Sequence, residues 1–334
     1  MKRRLLRTLG FVIVAGVTVG GATVGYLYVR KPATAPPPGI TVPMTEARIA
    51  RGRYIYKLAD CDGCHSERDY SRFGGPVVES GRGRGVVFPP ELGLPGTITA
   101  PNITPDPETG LGAWTDGEKI RAIREGVGRD GAALFPMMPY EAYRSMSDED
   151  VESLVAYLNT LPPIRNQVPR SQVRFPVSLL MKSAPQPAGP VPPPDRSDRL
   201  RYGEYLVKIG DCGGCHTPAE NGKPLAGMAY AGGKLFRIGP FQVVSSNITP
   251  DPKSGLGTWS EDYFLRRFYL YRDYVNQGSP HVGKESFTLM PWLNLATLPP
   301  DDLKAMYAYL RTVPPVHHYV NPHPAAGGGE RAAR

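Results

Sequence analysis

The sequence predicts an all-α protein in which one small helical domain occurs twice, after a single N-terminal apolar helix. Three observations lead to this prediction. The pentapeptide Cys-x-x-Cys-His occurs at residues 61–65 and 212–216, and these two copies contain every cysteine of the chain. The segments around the two copies match each other at a nearly constant offset. An uncharged stretch of membrane-spanning length lies near the N-terminus, between two clusters of basic residues.

The internal repeat determines the predicted domain organisation. Tyr54 matches Tyr205, and the hexapeptide Asn-Ile-Thr-Pro-Asp-Pro occurs at 102–107 and again at 247–252. The insertions that separate such matches are confined to predicted loops. The predicted segments are an N-terminal transmembrane anchor over 1–31, a proline-rich spacer over 32–43, a first domain over 44–165, a proline-rich linker over 166–196, a second domain over 197–320 and a flexible tail over 321–334.

Helix signals recur at the same places in both repeats. Residues 46–59 and 199–210 are predicted to be helical and lead into the two cysteine motifs. Thr115 opens a capping box, and Ser147 and Ser260 are predicted N-caps of helices with apolar residues at helical spacing. No run of residues alternates well enough to predict a sheet. The spacer is expected to extend away from the membrane, and the linker to run along the surface of the domains.

Two glycines occupy matched positions in the helices that precede the cysteine motifs. Neither Gly52 nor Gly203 has an evident need for a positive φ, so the close crossing of another helix explains them better. Tyr157 and Tyr309, in the last helix of each repeat, are the residues expected to pack over them.

Cys-x-x-Cys-His is the attachment signature of c-type haem. The two thiols add across the vinyl groups of a porphyrin, and the adjacent histidine becomes the proximal ligand of the iron. A zinc site would need two further ligands near each cysteine pair, and a redox pair would need a βαβ context. The motifs therefore predict two covalently bound haem c groups. The residues predicted to hold them are Cys61, Cys64, His65, Cys212, Cys215 and His216.

The repeat also nominates the sixth iron ligands. Met138 and Met290 occupy matched positions, and each is followed by a proline and an aromatic residue. A thioether is a soft ligand that suits haem iron and raises its reduction potential. Three alternatives remain open: the methionines could simply fill the core, Met137 could replace its neighbour, and His281 lies near the second ligand loop in sequence.

The N-terminus predicts a membrane anchor. Residues 9–29 form an uncharged stretch that spans about 30 Å as a helix, which matches a bilayer core. The basic residues before this stretch would remain in the cytoplasm. The rest of the chain would then face the periplasm from the inner membrane of a bacterium. A cleaved signal sequence remains an alternative, because Ala-Thr-Ala at 33–35 resembles a cleavage site.

The charge of the chain gives no indication of a nucleic-acid partner. The formal net charge is +8, but six of the basic residues belong to the predicted anchor and its flanks. The remaining residues are close to neutral, and no basic stripe with interleaved aromatic residues appears. The sequence therefore predicts a membrane association but no binding of nucleic acid.

Taken together, these motifs resemble the class I cytochrome c fold, present twice between residues 44 and 320. The wider pattern is similar to the membrane-bound cytochrome c subunits of bacterial alcohol, gluconate and related dehydrogenases. In that family, the subunit conducts electrons from a flavin or quinoprotein catalytic subunit towards quinone or a terminal oxidase. Many members carry three haem motifs, and this chain has two. The resemblance implies an electron-transfer subunit that is not catalytic alone, with His65 and His216 as proximal ligands and Met138 and Met290 as distal ligands.

Three other functions share part of this chemistry. An anchored stand-alone carrier would pass electrons from a quinol-oxidising complex to a terminal oxidase or another cytochrome. A dihaem peroxidase would need an open coordination site, which the matched methionines argue against. A dihaem sulfur-compound dehydrogenase often uses an unusual haem ligand, but all four cysteines are already consumed by the two motifs.

Overall fold

The computed structural model describes residues 2–220 and 222–324, and helices dominate its regular structure. The predicted flexible tail lies outside the described residues from position 325 onwards. The N-terminal helix α1 covers Lys2–Val29. Its part Arg7–Val29 is long and apolar enough to cross a membrane, although a signal sequence at this position would have the same properties.

The helices of the first repeat follow α1 in the order that the sequence predicted. They are α2 (Glu46–Leu58), α3 (Cys61–His65), α4 (Asp116–Glu125), α5 (Tyr140–Tyr143) and α6 (Asp148–Leu158). The linker contributes α7 (Val177–Leu180). The second repeat consists of α8 (Arg199–Ile209), α9 (Cys212–His216), α10 (Glu261–Tyr269), α11 (Arg272–Gln277), α12 (Trp292–Leu295) and α13 (Pro300–Leu310). Short 3-10 helices occur at Glu79–Gly81, Pro90–Leu92 and Met181–Ser183.

The predicted helix starts are confirmed by their capping hydrogen bonds. The Thr115 hydroxyl accepts from the backbone N–H of Glu118, whose carboxylate accepts in turn from the Thr115 N–H, which completes the capping box. The Ser147 hydroxyl begins α6 and the Ser260 hydroxyl begins α10 in the same way, each accepting a backbone N–H three residues later.

Short antiparallel strand pairs are present where the sequence predicted no sheet. They are β1 (Val86–Val87) with β3 (Thr99–Ala100), β2 (Gly96–Thr97) with β4 (Gln172–Val173), β5 (Ala219–Glu220) with β6 (Lys223–Pro224), and β7 (Leu235–Ile238) with β8 (Phe241–Val244). The prediction missed them because strands of two to four residues are too short to show an alternating pattern. The β2–β4 pair attaches the linker to the first repeat.

The two matched glycines lie where helices cross, as predicted. In the first repeat α2 packs on α6, and a Cβ atom on Gly52 would lie 1.8 Å from the carbonyl oxygen of Ser153. In the second repeat α8 packs on α13, and a Cβ atom on Gly203 would lie 1.9 Å from the carbonyl oxygen of Ala305. The Cβ atoms of Tyr157 and Tyr309 are also close neighbours of the glycines, in agreement with the prediction.

The spacer before the first repeat is hydrogen-bonded to that repeat. The buried Glu125 carboxylate accepts from the Thr34 hydroxyl (2.7 Å) and from the Ala35 N–H (3.1 Å). Its other oxygen accepts from the N–H of Ala188 in the linker (3.1 Å). The proline content did not predict this contact, and the extension of the spacer off the membrane stays a prediction. The linker does run along the first repeat, as predicted.

The two repeats contact each other through reciprocal tyrosine–aspartate hydrogen bonds. The Tyr54 hydroxyl donates to Asp302 (2.6 Å), and the matched Tyr205 hydroxyl donates to Asp150 (2.5 Å). The two aspartates are matched positions in α13 and α6, so each repeat offers the other the same donor and the same acceptor. This arrangement is the isologous pattern of a two-fold interface, here within one chain.

Replacing Tyr205 with phenylalanine should reveal the strength of this contact. Asp150 is 3% exposed, and a hydrogen bond to a charged group contributes about 1.5–3 kcal/mol. We therefore expect the free energy of unfolding to fall by about that amount when denaturant unfolding of Tyr205→Phe is measured. Tyr319→Phe is the control, because Tyr319 is 80% exposed. Equal stability of the two variants would show that the reciprocal bond contributes nothing.

Candidate haem-attachment sites

Each cysteine motif forms a short helix that begins after an aspartate in a left-handed conformation. Asp60 has a φ of 46° and Asp211 a φ of 47°, a region that non-glycine residues rarely adopt. The aspartate carboxylates fold over the motifs, so that a Cβ atom on Gly63 would lie 2.3 Å from an Asp60 oxygen and one on Gly214 2.2 Å from an Asp211 oxygen. A Cβ atom at either glycine would therefore require the aspartate side chain to move.

The four cysteines are free thiols, as thioether attachment requires. No disulfide involves Cys61, Cys64, Cys212 or Cys215. Burial raises the pKa of Cys212 to about 12, so this thiol is protonated at neutral pH. In residues 2–220 and 222–324 no group of three or more His, Cys, Asp or Glu side chains is placed to hold a metal ion. A vinyl-linked haem with its own iron suits these sites better than a bare ion.

The two motif histidines are oriented by backbone carbonyl groups. The Nδ1 atom of His65 lies 2.8 Å from the Pro101 carbonyl oxygen, and the Nδ1 atom of His216 lies 2.7 Å from that of Ser246. Because a carbonyl only accepts, each Nδ1 carries the proton and each Nε2 keeps a free lone pair for a metal. Burial lowers the pKa of both imidazoles, which favours the neutral, ligating form. These features fit a proximal haem ligand.

The repeated hexapeptide positions these carbonyl groups, a role that was not predicted from the sequence. The Asn102 side-chain oxygen accepts from the N–H (2.9 Å) and the hydroxyl (2.7 Å) of Thr104. Its amide donates to the Ile164 carbonyl (2.7 Å), which ties the loop to the end of the first repeat. The signal was present in the sequence, because asparagine and threonine two residues apart favour such side-chain turns.

The second repeat uses the same arrangement. Asn247 accepts from Thr249 and donates to the Val316 carbonyl (2.8 Å). In both repeats the carbonyl group that accepts the hydrogen bond of the histidine ring belongs to the residue directly before the asparagine. These residues are Pro101 and Ser246. The hexapeptide therefore orients the histidine ring through the residue that precedes it.

A glycine with a positive φ donates a backbone hydrogen bond to the carbonyl group of each motif histidine. The Gly85 N–H donates to the His65 carbonyl (2.8 Å), and the Gly232 N–H donates to the His216 carbonyl (2.7 Å). Their φ values are 85° and 73°, and a Cβ atom on Gly85 would lie 2.6 Å from the backbone nitrogen of Asn102. Only glycine fits both the conformation and the space.

The two candidate methionines occupy equivalent turns. The Tyr140 N–H donates to the Met138 carbonyl (2.8 Å), and the Trp292 N–H donates to the Met290 carbonyl (2.7 Å). Both methionines are half-buried against the apolar core. Met137 is also half-buried, whereas His281 is exposed and its backbone is bridged to Arg72 of the first repeat. The equivalence agrees with matched roles, and ligation of iron by Met138 and Met290 stays a prediction.

The two motifs lie near each other across the interface between the repeats. The Asn294 amide, in α12 of the second repeat, donates to the Asp60 carboxylate at the start of the first motif (2.7 Å). Burial raises the pKa of Cys64 to about 12, and the negative charges of Asp60 and of a Cys215 thiolate contribute to the rise. The charge of Asp211, which precedes the second motif, contributes to the raised pKa of Cys64 as well.

The motifs differ in one buried network. Asp62, within the first motif, is 1% exposed and accepts from the Tyr56 hydroxyl (2.7 Å) and from the Ser66 hydroxyl (2.5 Å). Its second oxygen forms an ion pair with Arg82. The second motif has Gly213 in place of Asp62, with the Tyr230 ring next to it. The two sites therefore share their predicted ligands but not their surroundings.

Comparison with known proteins agrees with this geometry. The cytochrome c family model matches residues 49–162. The cytochrome c subunit of a quinone-dependent alcohol dehydrogenase from Gluconacetobacter polyoxogenes is 31% identical over 81% of this chain and 57% of that protein. The cytochrome subunit of fructose dehydrogenase from Gluconobacter japonicus is 33% identical over 80% and 52%.

A third relative matches over its whole length. The dihaem cytochrome c-type protein of Cereibacter sphaeroides is 29% identical over 95% of this chain and 100% of that protein. In contrast, the chain spans just over half the length of the two dehydrogenase subunits. Residues 49–162 therefore form a domain of the cytochrome c family, whose members bind haem c covalently, and the chain is a relative of cytochrome c subunits of alcohol and fructose dehydrogenases and of a dihaem cytochrome c.

Proposed function

We propose that this chain is a membrane-anchored, periplasmic dihaem cytochrome c that relays electrons as the electron-transfer subunit of a dehydrogenase complex. The observation that carries the proposal is the pair of matched motifs whose histidines are oriented by equivalent carbonyl groups. The dehydrogenase subunits among its relatives support the partnership, and the apolar helix α1 supports anchoring in the inner membrane of a bacterium.

In this proposal, two tandem class I cytochrome c domains each hold one haem. Cys61 and Cys64 form the thioether links of the first domain, and Cys212 and Cys215 form those of the second. A bound haem c supplies a centre that takes up and releases single electrons. The carbonyl groups of Pro101 and Ser246 fix the histidine tautomer that would bind the iron. The candidate methionines would complete each site, so that neither oxygen nor peroxide could bind. Electron relay, not catalysis by this chain alone, follows from that arrangement.

Substitution of the candidate methionines tests the ligand assignment. In the oxidised, haem-loaded protein we expect Met138→Ala and Met290→Ala each to remove part of the far-red methionine–iron absorption band. Each should also allow carbon monoxide to bind to one haem after reduction, because the sixth position opens. Met137→Ala and His281→Ala are the matched controls and should change neither property.

Two results would contradict the proposed function. Carbon monoxide binding readily to the unmodified reduced protein would point to an open site and therefore to peroxidase-like or sulfur-compound chemistry. Fewer than two covalently held haems per chain, measured from the pyridine haemochrome spectrum, would exclude a two-haem relay.

An anchored stand-alone carrier is a second candidate function. The full-length match to a dihaem cytochrome c-type protein favours it, because nothing in that protein's name refers to a dehydrogenase. The carrier would accept electrons from a quinol-oxidising complex and deliver them to a terminal oxidase or another cytochrome. Gentle isolation from membranes distinguishes the two functions: a dehydrogenase catalytic subunit should co-purify in stoichiometric amount if the first proposal is correct, and no such subunit should do so if the second is.

A further inference from the structure

The linker segment 174–183 lies against the C-terminal end of the apolar helix α1. The Lys182 ammonium donates to the Tyr28 carbonyl (2.6 Å) and lies 5.6 Å from the centre of the Tyr28 ring. Arg30, directly after α1, donates to the Ser183 hydroxyl. The same segment is attached to the first repeat at its other end, where the Arg174 N–H donates to the Pro95 carbonyl (2.7 Å). The segment therefore has a defined position next to the exit of α1.

Apolar side chains of this segment point away from the protein. Phe175 is 73% exposed and Leu180 is 60% exposed, whereas Leu179 between them is buried. Single exposed apolar side chains are common on protein surfaces, so the position of these two beside α1 decides what they contact. The segment thus has one face packed on the protein and one apolar face without a partner in the described residues.

The end of α1 indicates the level of the membrane surface. Tyr26 and Tyr28 are 63% and 71% exposed, and aromatic residues of this kind concentrate at the boundary between lipid tails and headgroups. Arg30 and Lys31 follow at once, where basic residues meet the headgroups. Because Lys182 contacts Tyr28 directly, the segment 174–183 lies at the same level.

We propose that the segment 174–183 is a second membrane contact, which inserts Phe175 and Leu180 into the surface of the bilayer beside α1. Arg174 and Lys182, together with Arg30 and Lys31, would attract anionic phospholipid headgroups. This geometry is that of an interfacial segment lying in the plane of the membrane. The proposal rests on the anchoring of α1 in the proposed function. Its consequence is that the first repeat is held against the membrane in a fixed orientation and does not swing on a tether.

Photolabelling from the lipid phase tests this proposal on the full-length, haem-loaded protein. The protein is reconstituted into vesicles of phosphatidylcholine and phosphatidylglycerol that contain a lipid with a photoactivatable carbene precursor in its acyl chain. Trypsin, which cuts after Arg174 and Lys182, releases the peptide 175–182 for mass spectrometry. We expect this peptide to be labelled severalfold more than the peptide 268–272, whose Leu270 is 61% exposed on the second repeat.

A matched variant separates lipid contact from general exposure. Phe175→Asp with Leu180→Asp should lower the labelling of the peptide 175–182 severalfold and leave the labelling of α1 unchanged. Omission of phosphatidylglycerol should also reduce the labelling of the peptide 175–182, because the basic residues lose their anionic partners.

The labelling of α1 distinguishes failure of this inference from failure of the proposed membrane anchor. Labelling of α1 together with background labelling of 175–182 would overturn this inference and leave the anchor intact; the apolar face would then belong to a protein partner. Background labelling of both would overturn the anchor and this inference together.

Discussion

Replacing Gly52 with alanine is expected to lower the free energy of unfolding by about 3 kcal/mol or more. The added Cβ atom would lie 1.8 Å from the Ser153 carbonyl oxygen and 2.7 Å from the Cβ atom of Tyr157. Both neighbours belong to the backbone or to its first side-chain atom, so they cannot rotate away. The helices α2 and α6 would have to separate where they cross.

The sign of this effect is informative because helix propensity works in the opposite direction. Alanine is favoured over glycine inside a helix by about 0.5–1 kcal/mol. A net loss of stability therefore shows that the overlap outweighs the gain in propensity. Gly203→Ala should behave in the same way, since its Cβ atom would lie 1.9 Å from the Ala305 carbonyl oxygen.

Denaturant unfolding of the haem-loaded protein measures both variants. Gly189→Ala in the linker serves as the control, because no atom lies within 4 Å of the Cβ position there. Unchanged or increased stability of Gly52→Ala would mean that the two helices do not cross at this glycine.

The features that could be predicted from the sequence are local or repeated. The caps at Thr115, Ser147 and Ser260 were predicted because each depends on a few neighbouring residues. The helix crossing at Gly52 and Gly203 was predicted because the repeat showed the same glycine twice.

The contacts that were not predicted join residues far apart in sequence. Tyr54 and Tyr205 were recognised as a matched pair, but nothing in the sequence near them indicates that each binds an aspartate of the other repeat. The same holds for Glu125, which holds the proline-rich spacer and which lies at the end of an ordinary capped helix. Such contacts depend on how the two repeats and the spacer pack, and periodicity does not carry that information.

Removing the Asp62 carboxylate is expected to cost about 3–5 kcal/mol of the free energy of unfolding, because it breaks a buried ion pair from one side. Asp62 is 1% exposed and joins Arg82, the Tyr56 hydroxyl and the Ser66 hydroxyl. In Asp62→Ala the Tyr56 hydroxyl, which belongs to a fully buried side chain, loses its acceptor. The Arg82 guanidinium keeps only its pair with Glu79, which is far more exposed.

The second repeat guides the choice of a control variant for Asp62→Ala. At the positions that match Tyr56, Asp62 and Arg82 it has a valine, a glycine and an alanine, namely Val207, Gly213 and Ala229. The second repeat thus carries no charge at these positions. The triple variant Tyr56→Phe with Asp62→Leu and Arg82→Met likewise removes the Tyr56 hydroxyl and the buried ion pair, and it keeps the volume of the three side chains.

We expect the triple variant to be more stable than Asp62→Ala, since replacing a whole buried ion pair by apolar groups of similar volume is often nearly neutral, whereas removing one partner is not. Denaturant unfolding of the two variants, with covalent haem content measured in parallel, gives the comparison. If the triple variant were the less stable of the two, the ion pair and its hydrogen bonds would contribute net stability that apolar packing does not replace. The outcome matters for the proposed relay because this network directly contacts the first motif and has no counterpart at the second, so it distinguishes the two candidate haem sites.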